Sequence, residues 1–387
     1  MKLSGEAPSG ELVTTRIKDG RIESVSTEPR TRDPAGEGGQ RLFLGPGLID
    51  IQVNGFAGVD FNHGDFEAEQ MEGGCRALLA TGVTGFFPTL ITSTYQRLGE
   101  AVRKIVQARK SSRLVREMVK GIHLEGPHIN PADGPRGAHS LSQVSPPDWD
   151  GFARLQALAG GLIRLVTLAP ELPGAFDFIG RAVSKGVVVA LGHCAPDPGT
   201  IDRAVAQGAR LSTHLGNGAH ETLHRQANYI QAQMAQDNLM ASIICDGHHL
   251  PDYFVQNLVR AKGLGRVILI TDATAAAGSV PGRYTMGELE LEAGEDGVLR
   301  LPGTPFLAGS TLTMDRAVAV CARQAGIDPA QAIEMATANP AKLFPDAGGV
   351  LRAGGPADLI VFWIDEDRIR VKKTFLAGRP VEMAKAS

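Results

Sequence analysis

The chain has 387 residues, is 43% hydrophobic and 21% charged, and carries a net charge of −3. This composition fits one large or two modest globular domains. It offers no basic surplus for nucleic acid or an anionic membrane surface. No apolar run approaches the roughly 20 residues that span a bilayer. The polar start, Met1 to Gly10, lacks the apolar core of a signal peptide. Cys75, Cys194, Cys245 and Cys321 are scattered without a CxxC pair. That pattern predicts a reducing, cytoplasmic setting rather than a disulfide framework.

Short apolar runs recur along the chain. Eight candidate strands are read at Gly47–Asn54, Val83–Leu90, Met118–Glu125, Leu162–Ala169, Val187–His193, Arg210–His214, Met240–Asp246 and Val267–Asp272. Most are continuous rather than alternating, as expected of parallel strands buried on both faces. Helical stretches lie between them, including Phe66–Ala80, Gln96–Lys110, Phe176–Lys185, Gly199–Gln207 and Asp252–Lys262. Strand–helix alternation of this length predicts a closed (β/α)₈ barrel of the TIM type over residues 46–344. The rival is an open doubly wound sheet, but no GxGxxG follows the first strand.

The ends differ. Ile17-Lys-Asp-Gly-Arg-Ile22 is a turn between two short strands, and Gly349–Phe362 and Ile369–Val381 also read as short antiparallel strands. Residues 1–45 and 345–387 are therefore expected to form one small β-sandwich domain, with a Gly-rich loop at 30–40. A hairpin-like insertion is expected between Gly282 and Leu301, followed by helices at Thr313–Ala325 and Pro329–Ala338.

In a barrel of this kind, side chains at the carboxyl ends of the strands share one mouth. Those ends read Gln52-Val-Asn54, His123-Leu-Glu-Gly-Pro-His128, Gly192-His193, Thr213-His214, Asp246-Gly-His-His249 and Thr271-Asp272. A single histidine after a strand is usually a hydrogen-bonded loop residue. Metal-capable residues closing five runs on one rim point to a bound divalent cation. Glu125, His193 and His214 are the candidate ligands, because imidazole nitrogen and carboxylate oxygen suit Zn²⁺ and related ions. Asp272 is then free to serve as general base on a water and to return the proton to a leaving nitrogen.

These segments carry a resemblance. Pro46-Gly-Leu-Ile-Asp-Ile-Gln-Val-Asn-Gly55, His123-Leu-Glu-Gly-Pro-His128, Leu168-Ala-Pro-Glu171, Leu191-Gly-His193, Ser212-Thr-His-Leu215, Asp246-Gly-His-His249, Thr271-Asp-Ala-Thr274, Leu307-Ala-Gly-Ser310 and Ala338-Asn-Pro-Ala341 run in order along the chain. Together they resemble the N-acetylglucosamine-6-phosphate deacetylase family of the amidohydrolase superfamily.

The resemblance implies that Glu125, His193 and His214 bind metal and that Asp272 is the catalytic acid/base. It implies substrate contacts by His139, Asn217, Gly218, His249 and Ala308. It also implies phosphate binding by Arg225, donated from the neighbouring subunit of a homodimer. The substrate would be a small amino sugar phosphate, with neither nucleic acid nor membrane as partner.

Many amidohydrolases hold a second metal on His-x-His of the first strand. Here Gln52 and Asn54 stand in that place, and neutral amides are poor Zn²⁺ ligands. One divalent ion per subunit is therefore expected, Zn²⁺ by default, with Fe²⁺, Mn²⁺ and Co²⁺ as the other choices. The family reads His-x-Tyr/Phe-Asn-Ala-Met after the sixth strand, whereas this chain reads His214-Leu-Gly-Asn-Gly-Ala-His220. That departure leaves phosphate recognition and sugar identity less firmly implied than the chemistry.

Alternatives are a related amidohydrolase acting on another N-acyl sugar or a cyclic amide, and a non-catalytic barrel homologue. Among the other histidines, His63 reads as a surface residue, and either His220 or His224, in the altered loop, could be solvent-exposed. His128 divides between substrate contact and loop hydrogen bonding, and His248 is the reserve for His249.

Overall fold

The structure is a computed structural model that describes residues 1–29 and 41–382. The loop expected at 30–40 lies outside the described residues. Eight parallel strands form one sheet: β1 Leu48–Val53, β2 Val83–Ile91, β3 Ile122–Glu125, β4 Ile163–Leu168, β5 Val188–Leu191, β6 Leu211–Ser212, β7 Met240–Ile244 and β8 Val267–Ile270. Each pairs with its chain neighbour in parallel register.

The ring closes between the last strand and the first. Val53 bridges Ala273 in parallel, and the Asp272 amide donates to the Gln52 carbonyl at 3.0 Å. Nearly every barrel-strand residue is buried, which matches strands sandwiched between a filled interior and an outer layer of helices. The interior below the mouth is partly polar. His123 on β3 bonds Thr89 Oγ1 at 3.3 Å and Thr167 Oγ1 at 2.8 Å, and Thr167 Oγ1 lies 2.7 Å from Thr213 Oγ1.

Three expected boundaries are corrected. Met118 is not in a strand; it ends a short helix, Arg113–Met118, capped by the Ser112 hydroxyl accepting from the Val115 amide. That cap lets the chain take a helical turn before β3 begins. Likewise Gly349–Asp358 is turn and coil, and only Leu359–Ile364 is strand. The helix expected at Pro329–Ala338 ends at Met335, and a further helix, Ala338–Leu343, follows it.

Seven strands from both ends of the chain form a separate, largely antiparallel sheet. It joins Lys2–Glu6, Leu12–Lys18, Arg21–Glu28, Phe43–Pro46, Leu359–Ile364, Ile369–Leu376 and Arg379–Val381. Its own apolar cluster includes Ile17, Ile22, Leu44, Leu359 and Phe375. A three-stranded antiparallel sheet, Gly282–Met286, Leu289–Ala293 and Leu299–Arg300, follows β8. It packs Met286, Leu291, Ala293 and Leu299 against Ile91 and Ala308 at the barrel mouth.

Candidate active site

Glu125 is the last residue of β3, and His123 two positions earlier points to the same side, into the barrel. His193, His214 and Asp272 stand just beyond β5, β6 and β8. All three adopt positive φ, at +50°, +29° and +51°. Residues other than glycine rarely occupy this region, which costs on the order of 1–3 kcal/mol each. Here the sharp turn swings each side chain from the strand end over the barrel axis.

The four side chains meet. His214 Nε2 lies 3.0 Å from Glu125 Oε1 and 3.1 Å from His193 Nε2, and His193 Nε2 lies 3.4 Å from Glu125 Oε1. Asp272 is tied to the same group by amides of β1 and its end. Gln52 Nε2 donates to Glu125 Oε1 at 2.9 Å and to Asp272 Oδ1 at 3.1 Å, while Asn54 Nδ2 donates to Asp272 Oδ1 at 2.7 Å. These neutral donors hold two buried carboxylates side by side without adding charge.

The arrangement fits a cation. His193 Nδ1 donates to the Pro135 carbonyl at 2.9 Å, so the proton sits on Nδ1 and the Nε2 lone pair faces the cluster. His214 Nδ1 is buried with no partner among the described residues. The ligand atoms of Glu125, His193 and His214 all lie within 4.8 Å of one another. One carboxylate and two imidazoles are a normal donor set for a catalytic divalent ion.

Charge is already displaced at this site. Burial opposes ionisation of Glu125, yet the hydrogen bond and charge of His214 outweigh it and hold the carboxyl well below the usual range. Burial also disfavours a charged His214, but the Glu125 bond raises its pKa above the ordinary value. Burial first, then repulsion from Glu125, push Asp272 up to about 6, against His214, the Asn54 bond and His249.

His139 Nε2 lies 3.2 Å from His193 Nε2. The Thr92 backbone N–H donates to His139 Nδ1 at 3.4 Å, and the Thr92 hydroxyl lies 2.8 Å from the same atom. With Nδ1 accepting, the His139 proton is carried on Nε2, facing the cleft. Burial, and then His193, push His139 down to about 3, so it stays neutral. His249 Nδ1 donates to Asp246 Oδ2 at 2.6 Å, and its Nε2 has no hydrogen-bond partner among the described residues, whereas His248 is exposed. Asp246 therefore orients His249 and also accepts from the backbone N–H groups of His248 and His249.

A cavity of about 140 Å³ opens above the cluster, lined by Glu125, His139, His193, His214, Asn217, Gly218, His249, Asp272 and Ala308 among others. Gly218 has φ +55°, and a Cβ there would lie 2.8 Å from His193 Nδ1. The loop therefore closes over the imidazole only because it lacks a side chain. Of the residues expected from sequence to contact substrate, only Arg225 is absent from this lining; it lies exposed on the following loop.

His128 is not in the cleft. It is buried against Phe178, with Tyr95 Oη 3.1 Å from Nε2 and the Ser145 carbonyl 3.2 Å from Nδ1. His63 is exposed beside Asp65, and His220 bonds the Tyr229 hydroxyl. Thr92, the Pro135 carbonyl and the bridging role of Gln52 were missed by sequence reasoning. Their positions depend on contacts between distant segments, and only the strand-end place of Gln52 was a signal.

A parallel barrel whose rim gathers one carboxylate, two imidazoles and, beside them, a second buried carboxylate defines the site of a metal-dependent hydrolase. The amidohydrolase family model matches residues 43–381. The N-acetylglucosamine-6-phosphate deacetylase of Bos taurus is 35% identical over 88% of this chain and 83% of its own length. That of Bacillus subtilis is 32% identical over 89% and 87%. Among solved structures, a Mycobacterium smegmatis N-acetyl-D-glucosamine-6-phosphate deacetylase mutant, in complex with N-acetyl-D-glucosamine-6-phosphate, superposes with TM-score 0.85. It has 28% identity and covers 98% of both chains. The Thermotoga maritima enzyme gives TM-score 0.84 at 27% identity, covering 99% of this chain and 100% of its own. The chain belongs to the amidohydrolase family, within its N-acetylglucosamine-6-phosphate deacetylases.

Proposed function

We propose that this chain hydrolyses the N-acetyl amide of N-acetylglucosamine 6-phosphate, releasing acetate and glucosamine 6-phosphate. The observation that carries this reading is the convergence of Glu125, His193, His214 and Asp272, drawn from four strand ends, at one buried point. Glu125, His193 and His214 hold one divalent ion, Zn²⁺ by donor chemistry. When bound, that ion polarises the amide carbonyl and lowers the pKa of the attacking water.

Asp272 accepts a proton from the water and delivers it to the departing nitrogen, so that the C–N bond breaks as amine and carboxylate form. His139, with its proton on Nε2, and His249, oriented by Asp246, bind the acetamido group and the sugar. Asn217 and Gly218 supply the loop against the sugar, and Ala308 the wall opposite. Arg225 serves the phosphate of a neighbouring subunit in a homodimer, in keeping with its exposure outside this chain's own cavity. Residues 1–45 and 345–387 act as a small domain beside the barrel, and the enzyme works in the cytoplasm.

Acetate release across N-acetylglucosamine 6-phosphate, N-acetylgalactosamine 6-phosphate and the unphosphorylated sugars tests the reading, with metal content measured on the same protein. Turnover of the first with one ion per chain is expected. Arg225→Ala should raise KM for the phosphorylated sugar alone. A protein without acetate release, or without a stoichiometric ion, contradicts the reading.

A further inference from the structure

The cavity above the cluster has a mixed lining. His139, Asn217, Gly218 and His249 bring polar groups to its lining, while Ile91, Met286, Leu289 and Ala308 pack into one apolar cluster on it. A sugar phosphate needs polar partners for its hydroxyls, because a buried hydroxyl without one is costly. It therefore occupies the polar part. The scissile carbonyl sits over the cluster, so the acyl substituent projects towards the apolar part. Resting on the deacetylase reading, the geometry points to Ile91, Met286 and Leu289 as the residues that limit the length of the N-acyl group.

Their position makes them a partition. Behind them lies a larger cavity of about 480 Å³, and Ile91, Met286 and Leu289 line both spaces. Ile91 ends β2, while Met286 and Leu289 flank the turn of the small sheet that follows β8. The turn is pinned in place. Asp60 Oδ2 accepts from the Gly287 amide at 2.7 Å and from Thr285 Oγ1 at 3.2 Å, and Glu288 pairs with Arg97 and accepts from Gln143.

Held this way, the wall resists displacement by a longer acyl chain, and forcing methylenes against a fixed apolar wall is unfavourable. Removing part of the wall joins the two cavities and gives the added methylenes somewhere to go.

The test compares kcat/KM for N-acetyl-, N-propionyl- and N-butyrylglucosamine 6-phosphate in the metal-loaded wild type, Met286→Ala and Leu289→Ala. The readout is the ratio between substrates within one protein, which does not depend on the fraction of enzyme that is folded. The wild type is expected to lose about 10-fold or more per added methylene, and each variant to recover roughly 10-fold of the butyryl-to-acetyl ratio. Because Leu289 is only half-buried, its variant guards against misfolding of the other.

A wild type that turns over all three equally overturns the partition. So do variants with the wild-type ratio; in both cases acetyl turnover by the wild type leaves the deacetylase reading standing. A wild type that hydrolyses none of the three overturns both.

Discussion

Gln52 places its side-chain amide 2.9 Å from the Oε1 atom of Glu125. The same nitrogen reaches Asp272, so one neutral group spaces a candidate metal ligand from the candidate general base. A neutral donor stabilises both anions, whereas a carboxylate there would repel them.

Replacing Gln52 with Leu removes this bridge and leaves two buried carboxylates without their shared donor. A loss of about 10–100-fold in metal affinity or in kcat is expected, the usual effect of removing a partner that orients a ligand. Chelator competition and steady-state kinetics on the variant would measure it, and wild-type values in both would contradict the bridging role.

Asp272→Asn keeps the shape of the side chain and removes its ability to accept a proton. The expected loss in kcat is about 10²–10⁴-fold. Metal content should stay near one ion per chain, because Asp272 is not among the proposed ligands. Metal analysis beside kcat separates the two roles, and full activity in the variant would rule out Asp272 as the base.

The same carboxyl sets the pH dependence. Its pKa is raised to about 6 by burial and Glu125, and the base acts only when ionised. Activity is therefore lost as pH falls through that pKa and is complete above it. A bound cation favours the anion, so the midpoint of the acid limb of kcat/KM should lie at or below about 6. A profile in which activity climbs as pH falls would contradict this assignment.

Gly218→Ala tests the loop over His193. The new methyl would lie 2.8 Å from His193 Nδ1, at a backbone φ of +55°. The imidazole must shift or the loop must open, and either change disturbs the bond to Pro135. We expect weaker metal binding by about 10–100-fold, read by chelator competition, with a backbone penalty of roughly 1–2 kcal/mol in thermal unfolding.

His128→Ala should behave in the opposite way. It removes a buried ring and the partners of Tyr95 and Ser145, costing about 2–4 kcal/mol of stability. Thermal unfolding would show the loss, while kcat of the folded protein stays at the wild-type value. A selective fall in kcat would return His128 to the cleft.

Much of this was legible in the sequence because strand ends in a parallel barrel share one rim. Continuous apolar runs announced eight buried strands, and the residues that closed them were Glu125, His193, His214 and Asp272. Once the barrel was read, their meeting followed from topology alone. The strand expected at Met118–Glu125 began too early because Met118 and Val119 are apolar and either state could bury them; Met118 ends a helix and the strand starts at Ile122. The hydroxyl of Ser112, which caps that helix, decided the matter locally.

Pattern and spacing therefore determined the fold, the catalytic rim and the kind of chemistry, since these depend on periodicity and on which residue types close each strand. Tertiary structure alone decided which nitrogen of His193 is bare and that His128 is turned away, and it put His249, which the resemblance had favoured over His248, in the lining of the cavity. It also brought Ile91 beside Met286 to close the apolar side. Most of these depend on a partner from a distant segment, the Pro135 carbonyl for His193 and packed side chains for His128 and Ile91, while His249 is turned by the nearby Asp246 within its own loop. Periodicity along one strand carries no record of such a partner.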